Sequence, residues 1–319
     1  MAILLYIIKN DFIFIFFTYY NIMIAKNYIG AHIKRDESGG IIETMNNIKK
    51  NGGNALQIFI SNPRSNTITN IDNYVKKSQD IRKYLIENDF KLVIHSPYTI
   101  NISKDAMEGK RIMPLEECIW IKLLINQLTL ADMMNAEGVV LHVGKHVSQS
   151  YEQGLHNMKV AIEYILKDIE NKNLKTKLII ETPAGQGTEL LKDLKEFIEF
   201  FNSFTKEQKK NLGICFDTAH TWALGYELAE AYDILFKKNS KDIIVIHLNN
   251  SLVKKGEMKD RHAVILDGKI PTNDMNNFIS SLSNNIKNIK NKVPTIILET
   301  PSNNYDMEIN HIRNLLELE

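Results

Sequence analysis

The stretch GICFDTAHTW, Gly213–Trp222, decides how the chain is read. A short apolar run stops on a carboxylate, Asp217, and an imidazole, His220, follows three residues later. Strands that run into a core rarely end on a charge, because burying an unpaired carboxylate is costly. The pattern recurs on either side. Apolar runs start at Tyr28 (YIGAHI), Ala55 (ALQIFI), Lys91 (KLVIHS), Gly138 (GVVLHV), Lys177 (KLIIET), Leu212 (LGICFDT), Asp242 (DIIVIHLN) and Thr295 (TIILET). Their continuous apolarity suits parallel strands covered on both faces. Between them, stretches such as ECIWIKLLINQLTLADMM, LHNMKVAIEYILKDI and LLKDLKEFIEFF carry apolar residues at three- and four-residue spacing, which predicts helices. Strand–helix alternation repeated about eight times predicts an α/β chain closed into a (β/α)8 TIM barrel. An open doubly wound sheet is the rival; the number of repeats and a helical stretch after the last strand, MEINHIRNLLELE, favour closure.

Composition sets bounds on function. The 319 residues are 44% hydrophobic and 24% charged, ordinary for a globular protein, with a formal net charge of +1. No global basic field marks the chain as a polyanion binder, so any nucleic-acid surface has to be local. Two distant cysteines, Cys118 and Cys215, make neither a disulfide framework nor a CxxC metal site. They suit an intracellular, reducing compartment. Residues 1–26 are strongly apolar but interrupted by Lys9, Asn10 and Asp11. The remaining run, Phe12 to Ile24, falls short of the ~20 residues of a membrane span. Without a basic leading region or a convincing cleavage site it does not read as a secretory signal. We expect residues 1–26 to be an extension outside the fold, with Met23 as an alternative start and a membrane-associating segment as the competing reading. Residues 27–319, undivided by any low-complexity linker, are expected to form one barrel domain.

The polar residues fall at one end of the strands. The third run ends near His95, the fourth near His142 and the fifth at Glu181; the sixth ends at Asp217, the seventh near His247 and the eighth at Glu299, while the first carries His32. In a barrel these ends converge on the face where barrel enzymes place their chemistry. A lone histidine in a strand is usually a hydrogen-bonded core residue. Six imidazoles and carboxylates in one register are another matter, since several buried carboxylates need compensating positive charge. Mixed imidazole and carboxylate donors suit zinc, manganese or iron. Asp260 and His262, two apart in KDRHAVILDG, face the same way if extended. With His220, about one helical turn past Asp217, they form a separate group. Nine candidate ligands result: His95, His142, Glu181, Asp217, His220, His247, Asp260, His262 and Glu299. That number suits a cluster of about three ions, of the kind used in phosphoryl chemistry.

These residues carry a resemblance. YIGAHI, FISNPR, VIHSPYTINI, LHVGKH, IIETPAGQG, GICFDTAH, HLNNS, DRHAVILDG and ILETP occur in the order and spacing of the endonuclease IV family of apurinic/apyrimidinic endonucleases, from Tyr28 to near the C terminus. The chain resembles that family, and the resemblance implies a (β/α)8 barrel with about three Zn2+ ions per chain. It implies that His95, His142 and Glu181 hold the first ion. Glu181 bridges to a second, completed by Asp217, His247 and Glu299, and His220, Asp260 and His262 hold the third. Glu181 and Glu299 are then the catalytic carboxylates. The implied partner is duplex DNA containing abasic sites, cut on the 5′ side of the lesion in base excision repair to leave a 3′-hydroxyl and a 5′-deoxyribose phosphate. The abasic nucleotide leaves the stack to reach the metals, similar to base flipping. Arg64 matches the residue inserted from the minor groove, and Tyr98 the residue that fills the gap. Read without the resemblance, Arg64 belongs to a surface turn after Pro63 and Tyr98 is a packed aromatic. A monomer without an obligate protein partner is expected.

The sequence departs from the family pattern at Val143 (usually Pro), Ala219 (usually Cys or Ser), Asn250, Leu252 and Leu266, none of them a candidate ligand. Lys254, Lys255, Lys259 and Arg261 offer phosphate contacts or a solvated face. The alternative function is a metal-dependent sugar isomerase or epimerase on a similar barrel. Such enzymes hold one metal with two Glu, an Asp and a His, and do not need His220, Asp260 and His262.

Overall fold

The structure, a computed structural model, describes residues 27–33, 40–288, 294–301 and 305–317. The expected N-terminal extension, residues 1–26, lies outside them. All eight apolar runs form parallel strands: β1 (Ile29–His32), β2 (Ala55–Ile58), β3 (Lys91–His95), β4 (Gly138–His142), β5 (Lys177–Glu181), β6 (Leu212–Asp217), β7 (Ile243–His247) and β8 (Thr295–Leu298). They pair in chain order and close into a barrel. Closure is carried by β1 against β8, with Ile29, Gly30 and Ala31 in register with Ile296, Ile297 and Leu298. The open-sheet alternative is thereby excluded.

Helices cover the outside: α1 (Gly40–Lys50), α2 (Val75–Glu87), α3 (Ile119–Met133), α4 (Tyr151–Asn171), α5 (Leu194–Asn202), α6 (Thr218–Leu224), α7 (Leu228–Asn239), α8 (Thr272–Asn288) and α9 (Tyr305–Glu317). No helix among the described residues is long and apolar enough to cross a membrane. Helix α5 starts later than its periodicity predicts. The Asp193 side chain accepts the Lys195 and Glu196 amides and caps the helix there. Leu191, two residues before that cap, has a positive φ of 56°. The apolar residues Leu190 and Leu191 are nevertheless buried, so periodicity registered their burial rather than their helicity.

Strand alternation divides the core into two. One set of strand residues faces the helices, for example Leu92, Ile94, Leu178, Ile180, Ile214 and Phe216. The other set points into the barrel. Ala55, Val93, Val140, Ile179, Cys215, Val245 and Ile297 form a separate, fully buried cluster, one residue from each of seven strands. The eighth position of this plug falls to β1, where Gly30 pairs with both Ala55 and Ile297. A Cβ there would lie 1.6 Å from the Ala55 carbonyl oxygen, so only glycine lets β1 and β2 meet.

Backbone in two strands cannot move aside as a flexible side chain would. Gly30→Ala is therefore expected to lower stability by about 3 kcal/mol, the upper range for overpacking. A urea midpoint equal to that of the wild type would show that β1 does not approach β2 this closely.

Candidate metal centre

The plug positions the site. Side chains two apart on a strand share a face. Two residues beyond Gly30, Ala55, Val93, Val140, Ile179, Cys215, Val245 and Ile297 stand His32, Gln57, His95, His142, Glu181, Asp217, His247 and Glu299. Each strand delivers one polar group to the layer above the apolar plug. The six strand-end residues read from the sequence are all in it. Gln57 was missed, although a single amide inside the apolar run ALQIFI at the same spacing was a legible signal.

Glu181 is the centre of this layer and is 1% exposed. Its Oε2 lies 3.1 Å from His142 Nε2 and 3.6 Å from His95 Nε2. Its Oε1 faces the other way, 2.7 Å from His247 Nδ1. His247 Nδ1 also lies 3.2 Å from Glu299 Oε2 and 3.7 Å from Asp217 Oδ2. Groups with metal-ligand spacing follow, His95–His142–Glu181 and Glu181–Asp217–His247–Glu299 among them, with Glu181 common to both; Cys215 of the plug also lies within reach of Glu181 and His247.

Asp217 ends β6 and caps α6, its Oδ1 accepting the His220 amide at 2.8 Å. The cap sets the first turn of α6 and so carries the His220 ring away from the β6 end. Asp217, His220 and His262 make a third group. Asp260 joins it through Oδ1, 3.5 Å from His220 Nε2 and 3.1 Å from His262 Nε2. His262 is held by a two-residue antiparallel bridge with Asn250–Ser251. Asp260 is the outermost of the nine, with its side chain 38% exposed.

The donor chemistry fits divalent metal ions on two grounds. The first is ring orientation. His95 Nδ1 donates to the Ser96 carbonyl and His220 Nδ1 to the Thr182 carbonyl, both at 2.8 Å. A carbonyl only accepts, so each Nδ1 carries a proton and Nε2 is the ring atom left to serve as a metal ligand. In His247 the roles are exchanged: Nε2 faces Gln57 Oε1 at 2.9 Å and Nδ1 turns to the carboxylates. The second is satisfaction. Glu181 Oε2, His220 Nε2 and His262 Nε2 are buried without a hydrogen-bond partner, and buried polar atoms are seldom left so without a function.

The electrostatics agree. Burial disfavours charge on these rings, yet Glu299, Glu181 and Asp217 push His247 up to about 9. Burial is likewise outweighed at His262, where Asp217, Asp260 and Glu299 push the ring up to about 9. His95, where burial dominates, is lowered. Burial would raise Glu181, but His142 and His247 hold it well below the ordinary carboxylate range. A negative field strong enough to protonate buried imidazoles is one that binds dications.

Further groups hold the donors in place. Gln57 is fully buried; its Nε2 donates to Glu299 Oε1 at 2.7 Å while its Oε1 faces His247. His32 Nδ1 lies 2.8 Å from the same Glu299 oxygen. Asn249 donates to Asp217 Oδ2 at 2.9 Å and accepts the Glu299 amide at 2.7 Å. Thr182 accepts the Asp217 amide through its hydroxyl.

Beside the donors opens a cleft of about 510 Å³ lined by His95, His142, Tyr98, Arg64, Asp260 and Arg261, among others. The Tyr98 ring packs edge-on against His95, His142 and Phe59 and is still 59% exposed, so it is both a packed aromatic and part of the cleft wall. The Tyr98 amide donates to the Pro63 carbonyl at 2.9 Å, joining its loop to the turn that presents exposed Arg64. Of the other cations noted in the sequence, Lys255 pairs with Glu227 and Lys259 with Glu257. The departures divide similarly. Val143 and Ala219 are buried, and Leu252 and Leu266 are exposed. Asn250 is a structural pin, donating to the Ile265 and Ile270 carbonyls and accepting the Ser251 and Ile270 amides.

Comparison with known proteins follows the same lines. Residues 45–315 match the family described as "Xylose isomerase-like TIM barrel". The probable endonuclease 4 of Halothermothrix orenii is 30% identical over 86% of this chain and 93% of its own, and that of Finegoldia magna 31% over 90% and 96%. The chain belongs to the endonuclease IV family. Among solved structures, endonuclease IV from Thermus thermophilus superposes with a TM-score of 0.69 at 24% identity, covering 92% of this chain and all of that one. A D-tagatose 3-epimerase-like protein gives 0.63 at 19%, over 91% and 97%. Both likenesses show the fold.

Gln57 gives a test of the support around the donors. Gln57→Leu keeps the volume but removes the contacts to His247 and Glu299. Changes to such supporting groups cost roughly 10–100-fold in metal affinity, and that loss is expected in a chelator competition titration. Affinity within twofold of wild type would leave Gln57 with packing alone.

Proposed function

We propose that the protein is a DNA-repair endonuclease that hydrolyses the phosphodiester bond 5′ to abasic sites in duplex DNA, using three zinc ions and leaving 3′-hydroxyl and 5′-deoxyribose phosphate ends. Family membership supports the coarse activity, nuclease action in DNA repair. The observation that carries the finer reading is the third donor group. An isomerase-type site would be complete with the Glu181–Asp217–His247–Glu299 set, two Glu, an Asp and a His. It would leave His220, Asp260 and His262 clustered beside it with no task, the two imidazole Nε2 atoms having no hydrogen-bond partner.

When bound, zinc supplies Lewis acidity to a phosphoryl group and acidifies water. The protein's own part is placement and charge. Glu181, with one oxygen toward His95 and His142 and the other toward His247, would be shared by the first two ions. Asp217 links the second group to the third while capping α6. Asp260 lines the cleft, with His220 and His262 3.5 and 3.1 Å from its carboxylate, and there a leaving 3′-oxygen would be stabilised. Glu299, fixed by Gln57, His32 and Asn249, holds its negative charge without a proton to lose; burial would raise it, but His247 and His32 keep it well below the ordinary range. Arg64 and Tyr98 enter the duplex at the lesion, and their loops are tied together by the hydrogen bond from the Tyr98 amide to the Pro63 carbonyl. Unstacking costs least where a base is already missing, so insertion favours the abasic site.

The decisive assay uses a duplex with one tetrahydrofuran abasic analogue and no added magnesium. The analogue cannot undergo β-elimination, so strand cleavage requires hydrolysis. Cleavage is expected from protein carrying about three zinc ions, and near-complete loss from Glu181→Gln, which keeps the shape and removes the shared charge. Protein that holds no more than one transition metal and converts a ketose instead would establish the isomerase reading.

Replacing Arg64 and Tyr98 together by Ala is expected to leave zinc content unchanged. It should reduce preference for abasic over intact duplex about tenfold, equivalent to ~1.4 kcal/mol. The measurement is the ratio of the two affinities at one salt concentration, and a wild-type ratio would remove the insertion role.

A further inference from the structure

The cleft holds a cation that neither the donor set nor the insertion pair accounts for. Lys145 follows β4 by three residues and lines the cleft with Arg64 and Arg261. Its backbone is unusually well held for a loop residue. The Lys145 amide donates to Asn101 Oδ1 at 2.9 Å, and its carbonyl accepts from Asn101 Nδ2 and Ser103 Oγ, both at 2.8 Å. It also forms an isolated antiparallel bridge with Glu189. Four contacts from two other loops therefore fix where this side chain starts.

The ammonium ends 3.4 Å from Glu189 Oε1. The two partners are unlike in exposure: the Lys145 side chain is 42% exposed and that of Glu189 7%. Glu189 has its own anchor, since its Oε2 accepts the Gln186 amide at 2.9 Å. Gln186 in turn accepts the Asp260 amide through its side chain. The carboxylate is thus fixed by the loop, and the ammonium is the part open to the cleft. An ion pair with one partner this exposed contributes only about 0–1 kcal/mol, too little to retain a lysine against a phosphate that can share it.

The chemistry of the cleft asks for such a group. The cleft is lined by the Asp260 carboxylate of the metal centre and by Glu189, and the chain as a whole carries a net charge of only +1. Phosphates entering beside Asp260 need local positive charge, and Lys145 supplies it from the lining of the same cleft. We infer that Lys145 binds a backbone phosphate of the DNA strand in the cleft and that Glu189 positions its ammonium there, an inference that rests on the nuclease reading above. The competing role, a lysine that only ties two loops together, makes a different prediction about salt.

The test is equilibrium binding of the full-length, zinc-loaded protein to the nicked product duplex, which is not turned over, across a series of KCl concentrations. Each neutralised phosphate adds about 0.9 to the slope of log affinity against log salt on duplex DNA. Lys145→Met is expected to make that slope shallower by about 0.9 and to weaken binding most at low salt; Lys145→Arg, which keeps the charge, should retain the wild-type slope. A Lys145→Met slope equal to wild type overturns the inference and leaves the nuclease reading intact. Wild-type protein that shows no salt-dependent binding to any duplex removes both.

Discussion

The organisation of this protein depends on one geometric constraint, the two-residue alternation of inward-facing side chains on eight strands closed into a ring. The lower inward layer is apolar and completely buried. The next inward position on every strand is polar. A closed barrel allows that arrangement because the plug excludes water from below while the layer above opens toward the loops. The same polar residues on an open sheet would be spread along an edge. Here they face one another across a few ångströms, and their charges interact strongly because the plug and the helices keep the surroundings apolar.

That proximity makes the donors mutually dependent. Four carboxylates are held against five imidazoles, and burial of each opposes its charge unless its neighbours compensate. Glu181 and Glu299 stay ionised because His142, His247 and His32 surround them. His247 and His262 are raised for the converse reason. Divalent ions would replace those protons with fixed charge and leave the rings neutral, which is the state in which imidazole is a ligand. Asp217 couples this electrostatic layer to the backbone, since it accepts the His220 amide and so begins the helix that carries the next donor. An Asp217 substitution would therefore alter both charge and the placement of His220.

The third group adds donors beyond the set of two Glu, an Asp and a His formed by Glu181, Asp217, His247 and Glu299. Apart from Asp217, which ends β6, it is built from a helix turn, α6, and the segment around the short bridge at His262–Ala263. Barrels of this class differ in their loops more than in their strands. The cleft follows the same principle. Arg64, Tyr98 and Lys145 come from three successive strand–helix loops, and hydrogen bonds between those loops, from Tyr98 to Pro63 and from Asn101 to Lys145, make them one surface.

The fold and most of the polar ring were legible in the sequence because both rest on local periodicity. Continuous apolar runs marked the strands, and a charged or imidazole residue toward the end of seven of the eight marked the active face. His220, Asp260 and His262 could be grouped by spacing because a helical turn and an extended pair have known reach. The extent of α5 was misread because the burial of Leu190 and Leu191 mimics helical period in a segment that Asp193 keeps out of the helix. Gln57, inside a strand, and Asn249, two residues past the end of β7, escaped notice because an amide carries no charge to announce it. Only the tertiary structure decides how the strands are set against one another. Between β6 and β7 the register slips by one residue at Ile214/Cys215, and the slip brings Asp217 opposite His247. Such a shift leaves no trace in periodicity, since it belongs to the pair of strands and not to either one. The same holds for Lys145 and Glu189, more than forty positions apart in the chain: sequence supplied the charges, and closure of the barrel made them neighbours.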